Sequence, residues 1–346
     1  MSTNRIATDQ RLDPRIRALF GAMNFPTNIP NVKDRQQMLD EASDPVAVAR
    51  YQELKDFLKF VDNEELAPSS GLTITNHQIT SQPDGNTINI QVMQPTGATK
   101  LPCVYYIHGG GMQSSSCYDG NYQAWGRIIA NKGVVVVLVD FRNSIVPSSV
   151  PEVAPFPAGL NDCISGLKWT KQNASKFGID ESRIIVAGES GGGNLTLATG
   201  LKLKRDGELN LISGLYAACP YIAGAWPQPH LPSSIENNAI FLDLHNNHGA
   251  MSYGIEEFEA CNPLAWPGFA TPEDIQGLVP TVISVNECDP LRDEGIEFYR
   301  LLVNNGVKAT CRQVMGTVHG TEMFPIMCPD ISHETAHSIA AFAHGS

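Results

Sequence analysis

Residues 183–203, RIIVAGESGGGNLTLATGLKL, decide how this chain is read. Ile184 to Ala187 is a short, wholly apolar run of the kind buried on both faces of a sheet, and Leu195 to Leu203 is helix-forming. Between them stands Gly188-Glu189-Ser190-Gly191-Gly192. Small residues around a serine permit a sharp strand-to-helix turn that lifts its Oγ clear of the sheet, the context a nucleophile elbow requires. The pentapeptide alone recurs by chance, and a glycine-rich helix start is the competing reading. The flanking strand and helix give it weight.

Working outward, similar apolar runs occur at Val104 to Ile107, Val134 to Val139 and Val282 to Val285, with helical stretches such as Tyr122 to Asn131 and Asp162 to Phe177 between them. Buried strands alternating with helices predict a mainly parallel sheet covered on both faces, an α/β fold. Upstream the period is two: Leu72, Ile74 and then Ile88, Ile90, Val92 alternate with polar residues around the turn Pro83-Asp84-Gly85-Asn86, which predicts an antiparallel hairpin opening the sheet.

Residues 1–70 read as short helices broken by segments such as FPTNIPN. Val46, Val48, Tyr51, Leu54, Leu58 and Phe60 recur at helical steps, an amphipathic stretch expected to lie on something else. Between 220 and 268 the strand-helix rhythm lapses into AWPQPHLPSS and FLDLHNNHG, an insertion expected to serve as a cap. The predicted organisation is a cap segment over 1–70, a first core part over 71–219, a cap insertion over 220–268 and a second core part over 269–346.

His108-Gly109-Gly110-Gly111 ends the run Tyr105-Tyr106-Ile107. Consecutive glycines let backbone N–H groups approach a substrate oxygen, as an oxyanion hole needs. No Gly-Lys-Ser/Thr follows, which argues against a phosphate loop. His108, joined to this loop, is expected to be a structural hydrogen-bonder. An elbow of this kind is followed along the chain by an acid and then a histidine. Asp289 follows the strand-like run Thr281 to Val285, and His319 follows Lys308 to Val314. Glu287, Asp293 and Glu294 crowd the same loop. Asp289 precedes Pro290, which keeps it out of helical geometry; Asp293 and Glu294 fall in the first turn of a predicted helix from Leu291 to Leu302, and Glu287 is the serious competitor. His333, His337 and His344 fall on a terminal helix, and His245 and His248 in the insertion.

The formal charge is −12, from 36 acidic and 24 basic residues, and no Lys/Arg run concentrates the positive charge, so nucleic acid and anionic membranes are not expected partners. The amino terminus lacks a secretory apolar region and no stretch is long enough to span a bilayer, so a soluble cytoplasmic protein is expected. Eight single cysteines, without CxxC or zinc spacing, read as mostly reduced core residues, with Cys288 notable beside Asp289. No cofactor and no metal are expected, and a homodimer is left open.

Together with Val139-Asp140-Phe141-Arg142, Pro155-Phe156-Pro157-Ala158, Asp162, Trp169 and the block Asp289-Pro290-Leu291-Arg292-Asp293-Glu294-Gly295, these motifs resemble the hormone-sensitive lipase family of bacterial esterases, from about His77 to the carboxyl end. The resemblance implies an α/β-hydrolase fold with a helical cap. It implies a triad of Ser190, Asp289 and His319, oxyanion donors on Gly110, Gly111 and Gly191, and a supporting role for His108, Gly109, Gly188 and Glu189. The expected activity is hydrolysis of small short- to medium-chain carboxylic esters. An amidase or deacetylase, a larger carboxylesterase-like enzyme, and a binding protein on a decayed hydrolase fold are the alternatives. Glu189 and Gly192 depart from the family's commoner GDSAG, the linker after Arg142 is long, and Thr321 stands where an aromatic often follows His-Gly; these differences concern pocket shape.

Overall fold

The computed structural model describes residues 4–345. Its eight strands are β1 (Leu72–Thr80), β2 (Thr87–Pro95), β3 (Leu101–Ile107), β4 (Val135–Asp140), β5 (Ile179–Glu189), β6 (Gly214–Ala218), β7 (Thr281–Asn286) and β8 (Ala309–Val314). They form one sheet in the order β1-β2-β4-β3-β5-β6-β7-β8. β1 and β2 pair antiparallel, as do β2 and β4, and every later pairing is parallel.

Alternation along the strands divides the core into two layers. Tyr105, Ile107, Val137, Val139, Ile184 and Val186 face the helices Ala158–Gln172, Gly191–Arg205 and Arg292–Asn304. Their sequence neighbours Val104, Tyr106, Val136, Leu138, Ile185 and Ala187 face Gly120–Ala130 and Pro329–His344. Both faces are dry, which is why these strands read as continuous apolar runs rather than alternating ones.

The hairpin and the parallel strands fall where the sequence predicts them, with one omission. β6, Gly-Leu-Tyr-Ala-Ala, is too short and too poor in β-branched residues to stand out, and its pairing between β5 and β7 makes it a strand. The helix Pro45–Lys59 forms where its periodicity predicts, yet Val46, Val48, Leu54 and Phe60 remain 60, 52, 48 and 72 % exposed. It is held at Tyr51, whose hydroxyl accepts from the Ser115 N–H at 2.9 Å, and at its carboxyl end. A Cβ on Gly120 would lie 2.3 Å from the carbonyl oxygen of Leu58, so the contact at that end is a close backbone approach.

Further amino-terminal, Phe20 stacks on Phe241 of the insertion at 5.1 Å and meets Phe324, beyond His319, edge-on at 5.3 Å. No helix among the described residues is long and apolar enough to cross a membrane.

Just beyond the carboxyl end of β4 Arg142 is buried against Asp162, which accepts from the Arg142 backbone N–H at 3.0 Å, from Nε at 2.8 Å and from Nη2 at 3.0 Å. Asp84 takes a further bond from Nη2 at 2.7 Å. Removing one member of a buried pair strands the other, at a cost of about 3–5 kcal/mol. Asp162→Ala is therefore expected to lower the urea unfolding free energy by about that amount with an unchanged m-value. A loss below about 1 kcal/mol would show that the pair does not hold this corner.

Candidate active site

Ser190 stands between β5 and the helix Gly191–Arg205, as that helix's N-cap, with φ 57° and ψ −121°, a conformation that non-glycine residues rarely adopt. Its neighbours make the turn sterically feasible. A Cβ on Gly192 would lie 2.0 Å from the Ile107 carbonyl oxygen, and one on Gly191 would lie 2.5 Å from the Met112 nitrogen. Only glycines let the elbow press against the loop after β3.

That loop carries His108 to Gly111, with Gly110 at φ 91° and Gly111 at φ 63°. Among the described residues no acceptor takes the N–H of Gly110 or Gly111, and Gly191, first in its helix, has no intrahelical acceptor either. His108 stacks on Phe141 at 4.3 Å and its Nδ1 lies 3.0 Å from the Gly109 carbonyl. Burial lowers its pKa, which favours the neutral ring.

His319 lies in the turn after β8. Its Nδ1 is 2.7 Å from Asp289 Oδ2, and both side chains are buried. Asp289 Oδ1 accepts from the Leu291 N–H at 2.9 Å, so both carboxylate oxygens are engaged. The other acids of this loop go elsewhere. Glu287 accepts from the Gly316 N–H at 2.7 Å, and Asp293 pairs with Arg292 at 2.8 Å and accepts from the Ser233 N–H at 2.7 Å. Glu294, read as an acid of a first helical turn, is buried. It takes bonds from the Ile222 N–H at 2.6 Å, the Ala223 N–H at 3.1 Å and Trp226 Nε1 at 2.6 Å, and burial pushes its pKa up to about 8.

Ser190, His319, Gly110 and Gly111 line one cavity of about 400 Å³, the size of a small-molecule pocket. Leu54, Tyr221, Phe241, Leu242, Leu244 and Phe324 complete a largely apolar wall. The remaining histidines lie apart: His245 Nε2 is 2.9 Å from the Ser234 carbonyl and His248 Nε2 is 3.0 Å from that of Pro30. All eight cysteines are free.

Sequence reasoning passes over one neighbour of this site. Cys219, buried at φ 33° directly after β6, places its Sγ within 4.8 Å of both an Asp289 carboxylate oxygen and a His319 ring nitrogen. Burial pushes its thiol up to about 11, which keeps it protonated at neutral pH. Nothing in the spacing of single cysteines could have singled it out, since the strand that delivers it was itself unread.

A parallel sheet opened by antiparallel strands, with a serine elbow and an Asp–His pair on the loops at the carboxyl ends of its strands, is the architecture of an α/β-hydrolase. Residues 104–323 match the family described as alpha/beta hydrolase fold, and the chain belongs to it as an esterase of the hormone-sensitive lipase family, a carboxylic ester hydrolase. It is 31 % identical over 251 residues to the carboxylesterase NlhH of Mycobacterium tuberculosis, covering 71 % of this chain and 75 % of that one. The arylesterase of Saccharolobus solfataricus is 30 % identical over 66 % of this chain and 71 % of its own. Among solved structures, esterase Est22 superposes with a TM-score of 0.97 at 64 % identity over 99 % of this chain and all of that one. Brefeldin A esterase, described as a bacterial homologue of human hormone-sensitive lipase, does so with 0.84 at 32 % identity over 97 % and 94 %.

Burial acts to lower the pKa of His319, but the Asp289 charge outweighs it and, with Cys219, raises the imidazole well above its ordinary value. A folded-state value above the unfolded ~6.5 means that the pair stabilises the fold fully below that pH and loses this contribution as pH rises through the folded value. NMR titration of His319 is expected to give a midpoint above ~6.5 that falls in Asp289→Asn. A midpoint unmoved by the substitution would contradict the pairing.

Proposed function

We propose that Ser190, His319 and Asp289 form the catalytic triad of this esterase. The observation that carries this reading is the buried 2.7 Å contact between His319 Nδ1 and Asp289 Oδ2, beside a cavity that His319 shares with the elbow serine. In the ester-bound enzyme Ser190 Oγ attacks the carbonyl carbon while His319 Nε2 takes the hydroxyl proton. Asp289 holds the proton on Nδ1, fixes the tautomer and stabilises the imidazolium that forms. The N–H groups of Gly110, Gly111 and Gly191 receive the tetrahedral oxyanion. His319 then returns the proton to the leaving alcohol, and water, activated by the same histidine, releases the acid from Ser190.

The division into a core (71–219 and 269–346) and a cap (1–70 and 220–268) belongs to the same proposal. Leu54 from the first cap segment and Phe241, Leu242 and Leu244 from the insertion roof the cavity, which favours short to medium acyl chains. An ester is preferred over an amide here because the similar proteins are a carboxylesterase and an arylesterase; His319 alone serves both proton-transfer steps. The proposal also keeps the protein in the cytoplasm, acting on small diffusible esters.

Ser190→Ala is expected to keep its thermal midpoint while retaining only the ~10³ to 10⁴-fold enhancement over water that binding and the oxyanion donors supply. Loss of activity together with a large fall in midpoint would point to a structural serine instead. Because His319 must be neutral to accept the proton and its pKa is raised, kcat/KM should climb with pH along a limb centred above ~6.5; a flat profile from pH 5 to 9 with a chemistry-limited substrate would contradict the histidine base. Across p-nitrophenyl esters of increasing acyl length, kcat/KM should fall at long chains, and deletion of residues 1–40 should weaken that fall and the fold together. Unchanged preference and stability would remove the cap from the account.

A further inference from the structure

We infer that Glu189 is a positioning residue for the oxyanion loop: its carboxylate grips the Gly109 N–H and so aims the next two amides, those of Gly110 and Gly111, into the cavity. The inference rests on the reading of Ser190 as nucleophile and deepens it.

Glu189 is buried, with no cation in salt-bridge contact among the described residues. Its partners are three donors from three elements. Oε1 accepts from the Gly109 N–H at 2.7 Å and from the Tyr122 hydroxyl at 2.6 Å, and Oε2 accepts from the Tyr106 hydroxyl at 2.5 Å. The Gly109 N–H is shared with the Tyr122 oxygen at 2.9 Å, which closes a triangle between loop, helix and elbow. Burial pushes both tyrosines well up, so both hydroxyls stay protonated and act as donors. A Cβ on Gly109 would stand 2.4 Å from Glu189 Oε1, so the first glycine of the loop is the space that the carboxylate occupies.

A buried carboxylate without a cation is costly, and a well-packed apolar side chain would hold the same core more cheaply. What an apolar residue could not do is fix the plane of the Gly109 peptide. With that N–H committed to Glu189, the chain turns through positive φ at Gly110 and Gly111 and presents two N–H groups that have no acceptor among the described residues. Such donors act where negative charge develops, so a loop released from Glu189 should lose transition-state binding while substrate binding persists.

The test compares Glu189→Ala, Glu189→Gln and Tyr122→Phe in kcat, KM, thermal midpoint and affinity for a boronic acid, whose tetrahedral adduct needs the same donors as the oxyanion. Glu189→Ala is expected to lose about 10²-fold in kcat, with KM within about threefold and boronate affinity falling alongside kcat. Glu189→Gln should recover most of the loss, since its amide oxygen can still accept from Gly109 and Tyr122 while the Tyr106 hydroxyl turns to accept from the amide nitrogen. Tyr122→Phe, which leaves the carboxylate in place, should lose several-fold in kcat alone, and it carries the test with Glu189→Gln should the alanine variant fail to fold. A kcat for Glu189→Ala within about threefold of wild type, an unchanged boronate affinity, or a loss confined to KM would overturn the inference. Hydrolysis by Ser190→Ala at close to the wild-type rate would instead sink the reading beneath it, so the two failures are distinguishable.

Discussion

Ser190 sits in a backbone conformation that costs about 1–3 kcal/mol unless its surroundings impose it, and much of the molecule is arranged to impose it. Its N–H donates to the Ala218 carbonyl at 2.9 Å and its carbonyl accepts from the Tyr221 N–H at 3.1 Å, which fastens the elbow to β6 on one side. On the other side Gly191 and Gly192 abut the chain leaving β3. The elbow and the glycine loop are thus two halves of one contact, and displacing either shifts the other.

Buried acids extend that arrangement outward. Glu189 joins the elbow to the glycine loop, Asp289 joins β7 to the histidine turn, and Glu294 binds the backbone where the chain leaves β6 for the insertion. Asp140 plays a like part at the end of β4, accepting from the Cys117 N–H at 2.9 Å and the Ser149 N–H at 2.7 Å. Each of these carboxylates meets backbone N–H groups or a histidine rather than a lysine or arginine, so the loops at the active edge are held by directional bonds that survive high salt better than exposed ion pairs do.

The strands that alternate with helices were legible because burial on both faces leaves continuous apolar runs, and the choice of Asp289 over its acidic neighbours was legible because Pro290 denies it a helical conformation. Of the four acids, Asp289 alone is hydrogen-bonded to His319. β6 escaped notice because neighbouring strands, not its own residues, make it a strand. The partners of Glu189 and Glu294 lie roughly 70 to 80 residues away in the chain, and half of them are main-chain amides that carry no mark in a sequence. The periodicity of Pro45–Lys59 correctly marked a helix, but a stripe of apolar residues does not say how much of it will be covered.

The most direct test of the account is to find the acyl group during turnover. Enzyme mixed with a p-nitrophenyl ester, quenched in acid within the first turnovers and digested for peptide mass mapping, should carry the acyl mass on the peptide containing Ser190, and the adduct should accumulate before steady state. An acyl group on Cys219, the other nucleophile-type side chain beside His319, or a burst of p-nitrophenol with no adduct on Ser190, would contradict it.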